Sequence, residues 1–143
     1  MEAARTQAYL AKARDFLAGM KLSRDLAESE CRASSALLAI HSAISYSDAL
    51  WIGLGQKDTA AQDHKSSAFR LRKLLKELKY EKQQGIRHFE SLLANKTSVA
   101  YSASGVTEKQ VKAMMDHAQR FSNWANTAGN ELNIEGWRDD ESH

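Results

Sequence analysis

His41 and Asp48 stand seven residues apart, and Asp63 and His64 are adjacent, so each pair joins a titratable imidazole to a carboxylate. Such pairs do acid–base work when the acid orients the base, and with a third ligand they hold a metal ion. No His-x-x-x-His or Glu-x-x-His spacing accompanies them, which argues for no metal and no cofactor. Seven residues are two helical turns, so His41 and Asp48 share a face. The reading that follows is a buried polar network of His41, Asp48, Asp63 and His64, in which hydrogen bonds tie neighbouring helices together.

A second group is basic. Lys65, Arg70, Arg72, Lys73, Lys76, Lys79 and Lys82 fall in one run, relieved by Glu77 and Glu81. Arg70 and Lys73 are candidate contacts to RNA phosphate. The competing reading, which the interspersed acids favour, is a solvated helix face with local charge pairs. Phe69 and Tyr80 are too far apart along the run for a single-strand stacking platform. Cys31 has no His near it in sequence and reads as an inert thiol. Met114 and Met115 read as core filling.

These side chains need elements to hold them. Pro is absent from the 143 residues and Gly occurs only 7 times, a bias toward long helices. Leu37, Ile40, Ile44, Asp48 and Trp51 recur at steps of three and four, with small residues between. A helix apolar or small nearly all round is buried on several sides, so 34–51 is predicted to be the central helix of a bundle. A first helix is predicted over 4–20, weakened by Gly19, with Ala13, Phe16, Leu17 and Met20 facing inward and Arg5, Lys12 and Arg14 opposite. The second is capped by Ser23 or Asp25 and stops at Gly53 and Gly55. Thr59 and Gln62 have capping-box spacing and open a third helix with Ala68, Leu71, Leu75 and Leu78 inward. Gly85 breaks it. A fourth carries Ile86, Phe89 and Leu93 and stops at Gly105. Thr107 and Gln110 form a second capping box, and Val111, Met114, Ala118, Phe121 and Ala125 make the fifth helix amphipathic up to Gly129. Residues 131–143 read as a polar tail with Ile134 and Trp137 as anchors. The expectation is an all-α, five-helix antiparallel bundle over 1–130.

A formal charge of +2 is too small to indicate nucleic acid by itself. One Cys suits a reducing compartment, and no apolar run reaches membrane-spanning length, so a cytoplasmic chain with no membrane association is expected.

The order of these segments resembles the HEPN superfamily of small helical proteins. The resemblance rests on Tyr9 to Leu17, Ala39 to Leu50, the Asp63-His64 pair, Leu92 to Ser102, and Val111 to Trp124. It implies a HEPN-like bundle and a homodimer. It also implies a protein partner, either a nucleotidyltransferase or a toxin–antitoxin mate in prokaryotic defence. Catalytic members cut RNA without metal, using an Arg and a His four to six residues apart. This chain departs from that pattern. Arg87 and His88 are adjacent and diverge by about 100° on a helix. Lys96 and Tyr101 stand where the motif would fall: Lys still binds phosphate, but Tyr is a poor base at neutral pH. Arg138 and His143 match the spacing only among acidic residues. The expected function is therefore a non-catalytic HEPN-like binding or assembly domain, with no catalytic residues and with Lys96, Tyr101, Arg70 and Lys73 as phosphate contacts. The alternatives are a metal-independent RNase toxin with a non-standard site, and a small subunit docking on a larger enzyme.

Overall fold

In the computed structural model, residues 2–26, 31–57, 65–101 and 105–137 are described. Among them are five α-helices and no strand: α1 (Glu2–Leu26), α2 (Arg32–Gly53), α3 (Lys65–Glu77), α4 (Ile86–Tyr101) and α5 (Glu108–Glu131). None of them is long and apolar enough to cross a membrane.

α2 is the centre. Its small residues Ala36, Ala39, Ala43 and Ala49 are all at most 1% exposed, which lets the neighbouring helices approach closely. α1 lies against it in the opposite direction. Thr6 is near Gly53, Phe16 meets His41, Gly19 faces Leu38 and Ser23 touches Ser35, so numbers rise along one helix as they fall along the other. α4 and α5 are paired the same way, Gly85 just before α4 facing Trp124 and His88 meeting His117, with Phe89 stacked on Phe121 between them. The rings of Phe89, Phe121 and Trp124 stack in sequence at 5.0 and 5.6 Å between centroids. α3 is fixed to α4 at the surface by Arg72, whose guanidinium reaches the Glu90 carboxylate at 2.6 Å.

Several boundaries differ from the sequence expectation. α1 runs on past Met20 to Leu26. Gly19 does not end it, because the helix is held there against Leu38. Ser23 is not a cap but an interior residue of α1, donating to the Met20 carbonyl at 2.9 Å and bonded to Ser35. Leu78, expected inward, is 47% exposed because α3 has already ended at Glu77 and Lys79 turns the chain with φ 61°. The Thr59–Gln62 capping box lies outside the described residues. The second box forms as expected, with Thr107 Oγ1 accepting from the Gln110 amide at 3.1 Å and Gln110 Oε1 from the Thr107 amide at 3.4 Å.

Gly85 and Gly129 are packing residues. A Cβ on Gly85 would strike the Trp124 indole, and one on Gly129 would strike that of Trp137. α5 therefore passes through Gly129 and stops two residues later. The packed unit also extends beyond 130. Ile134 lies under Gly53 beside Thr6, and Ile134 and Trp137 are 6% and 7% exposed. The indole N–H of Trp137 donates to Asn126 Oδ1 at 3.3 Å.

Candidate functional site

α2 is covered by α1 on one side and by α4 and α3 on another, and a strip between them stays partly open. Leu37, His41, Asp48 and Trp51 lie along it at helical spacing, all half-buried except His41, which is exposed, and the buried Ile44 interrupts it between His41 and Asp48. His41 therefore does not belong to a buried network. It is an exposed spot on a helix whose next six residues, Ser42 to Ser47, are all buried, and the imidazole rests on Phe16 at 5.7 Å between centroids.

The charges around this strip are predominantly positive. Lys12 lies one turn before Phe16 on α1 and places its ammonium 5.8 Å from the Phe16 ring centre. Lys96 approaches from α4. Partial burial, and then the charges of Lys96 and Lys12, hold the His41 imidazole below its ordinary pKa, so at neutral pH it is uncharged. Asp48, two turns further along α2, is raised from 3.8 to about 6 by burial, against the pull of Lys12. It shares a small crevice with Ser47, Trp51, Ser67 and Arg70, and the buried Ser67 hydroxyl has no hydrogen-bond partner there. A rise of about 1.5 Å per residue puts His41 and Asp48 roughly 10 Å apart along the axis. They are thus no His–carboxylate dyad.

The structure therefore gathers Lys96, His41, Asp48 and Arg70 along one strip and adds Lys12 and Ser67 to them. Lys73 is on the outer side of α3, exposed. Asp63 and His64 lie outside the described residues, as does the side chain of Tyr101, whose backbone ends α4. The basic run is not one continuous surface. Arg72 is paired with Glu90, and Lys82 reaches Glu131 at 2.8 Å. Tyr80 donates to the same carboxylate at 2.6 Å, and burial first, then this bond and the carboxylate's charge, raise its pKa.

A histidine pair that was not apparent in the sequence joins α4 to α5. His88 and His117 come from α4 and α5, with Nδ1 atoms 2.9 Å apart, so one Nδ1 donates and the other accepts. Burial first, then His117, Arg87 and Arg120, lower the pKa of His88, with Asp116 opposing. Arg87 is exposed while His88 turns to the α4–α5 seam, as expected for adjacent residues of a helix. Only the helical phase of each histidine was readable, placing it at the edge of a buried stripe. Among the described residues, no group of three His, Cys, Asp or Glu side chains is placed to hold a metal ion.

No family model, no curated protein and no solved structure matches the chain. What the strip does is accordingly argued from its own chemistry. It offers three cations, one neutral imidazole and a carboxyl that is half protonated near pH 6. Cations arranged along an open helical strip attract a polyanion, and an uncharged imidazole adds a hydrogen-bond donor and an acceptor.

Proposed function

We propose that the chain is a non-catalytic binding domain on a HEPN-like plan, which holds the phosphate backbone of a single-stranded RNA along the open strip of α2. The observation that carries this reading is the flanking of exposed His41 by Lys12 and Lys96 from two other helices. Arg70 extends the strip past Asp48. The Arg–His arrangement for cleavage has no support in the described geometry, because His88 is engaged with His117 and, among the described residues, no carboxylate is bonded to His41.

The test is fluorescence anisotropy of a labelled single-stranded RNA. Three phosphate contacts give a logarithmic salt slope of about −2, or an affinity loss of about twentyfold between 50 and 200 mM salt. Replacing Lys12 and Lys96 together by Ala removes most of the binding and flattens the slope. Lys109→Ala, on the exposed first turn of α5, leaves it unchanged. Equal binding by the double variant and its parent refutes the placement.

One observation favours a second reading. An uncharged imidazole between two ammonium groups has the elements of a metal-independent ribonuclease, a base beside cations that steady the phosphate. Cleavage that is lost in His41→Ala would select it. The assembly part of the proposal, a homodimer or a complex with a nucleotidyltransferase or toxin–antitoxin mate, rests on the family resemblance, since one exposed apolar side chain such as Phe69 on α3 is ordinary for a protein surface. Light scattering at the monomer mass across micromolar concentrations would remove the homodimer.

A further inference from the structure

α1 and α5 flank α2 on its other side, and a groove of about 330 Å³ remains between them over Tyr46. That size is within the usual range for a small-molecule site, roughly 300–1,000 Å³. Arg14 and Asn126 close one end, where an Arg14 guanidinium N–H donates to Asn126 Oδ1 at 3.1 Å. Lys21, seven residues after Arg14 on α1, and Gln119, seven residues before Asn126 on the antiparallel α5, mark the other end, about 10 Å away. The floor between them is Leu17, Ala18 and the buried Tyr46. Among the described residues, no carboxylate lines the groove.

The hydrogen bonds of α5 determine what the groove offers. Asn126 Oδ1 accepts from both Arg14 and the Trp137 indole, at 3.1 and 3.3 Å. Asn123 Oδ1 accepts from Gln119 Nε2 at 3.0 Å. Both carboxamide oxygens are thus occupied, and both NH₂ groups remain as donors. Lys21 adds an exposed ammonium. The wall of α5 is preset as donor and the wall of α1 is cationic, the arrangement that a multi-oxygen anion satisfies. A length of two helical turns and a partly apolar floor call for more than a bare ion.

We infer that this groove binds a small organic phosphate, its phosphoryl oxygens taken by Lys21 at one end and its hydroxyls or ring by Asn123, Asn126 and Arg14 toward the other. The site is separate from the α2 strip and does not depend on RNA binding there. Ribose 5-phosphate is the probe, followed by amide chemical shifts of the full chain, with inorganic phosphate and ribose as comparisons. Saturable shifts at 14–21 and 119–126 are expected, with ribose 5-phosphate bound more tightly than either comparison. Lys21→Ala and Asn123→Ala, both at exposed positions, weaken it by about tenfold and about fivefold, the effects of losing one charge-assisted and one neutral hydrogen bond. Lys12→Ala leaves it unchanged. The inference is overturned by an absence of saturable shifts in the groove, by inorganic phosphate binding as tightly as ribose 5-phosphate, or by both groove variants binding as the parent does.

Discussion

Replacing Gly129 with Ala should destabilise the protein, and replacing Gly19 with Ala should stabilise it, although both lie in helix interiors. The helix propensity term is the same in both, a gain of about 1 kcal/mol. The surroundings differ. A Cβ on Gly19 would meet Leu38 Cδ1 at 3.5 Å, an ordinary contact, so the gain survives. A Cβ on Gly129 would lie 2.7 Å from Trp137 Cγ and closer still to the fused ring carbons. The indole must leave its seat, where it is 7% exposed and bonded to Asn126. Losing a buried tryptophan costs about 3–5 kcal/mol and its hydrogen bond about 1. Set against the propensity gain, a net loss of about 2–4 kcal/mol remains, because the ring keeps part of its burial when it shifts. Urea denaturation of both variants measures this. In a Trp137→Ala background the clash is gone, and Gly129→Ala should turn stabilising by about 1 kcal/mol. A Gly129→Ala protein as stable as its parent would refute the packing of 131–137 against α5.

Three further outcomes follow. Asp48, with its folded pKa raised from 3.8 to about 6, contributes stability that is complete below pH 3.8 and is lost as pH rises through about 6. Asp48→Asn should therefore be more stable than the parent at pH 8 by about 1–3 kcal/mol, with the gap closing near pH 4 in paired denaturant titrations. His88 has a lowered pKa, so its contribution is present above the ordinary value of 6.5 and is lost as pH falls through the folded one. His88→Gln should accordingly show a flatter stability profile between pH 7.5 and 5, and a profile as steep as the parent's would mean that other groups carry the acid sensitivity. Thr107→Ala should cost about 1 kcal/mol, because it removes a cap that the structure shows fully formed. A loss below ~0.3 kcal/mol would show that the start of α5 is held by packing alone.

The helices were legible where local pattern decides them. The small and apolar composition of 34–51 identified the buried centre, and the spacing of Thr107 and Gln110 located the start of α5. The glycines were harder to read. Gly19, Gly85 and Gly129 look alike as glycines in or beside helices, but two of them make room for an indole, that of Trp124 at Gly85 and that of Trp137 at Gly129. Helical phase placed His41 on the correct strip of α2. Its exposure depends on how the neighbouring helices pack around it, which local pattern does not contain. The same holds for the cations. Lys12 and Lys96 are 84 residues apart in sequence and act on one imidazole, while Arg14 and Asn126 are bonded across 112 residues. Such pairings arise from the topology of the bundle.

The most direct test of the account asks whether RNA held on the α2 strip is returned intact. A 5′-labelled single-stranded RNA is incubated with excess protein and a chelator at neutral pH, and the bound and free strands are then resolved on a denaturing gel. The account predicts a complex that dissolves with salt and a strand of unchanged length, for the parent and for His41→Ala alike. Cleavage by the parent that disappears in His41→Ala would contradict it, and would make the exposed imidazole between Lys12 and Lys96 a catalytic base.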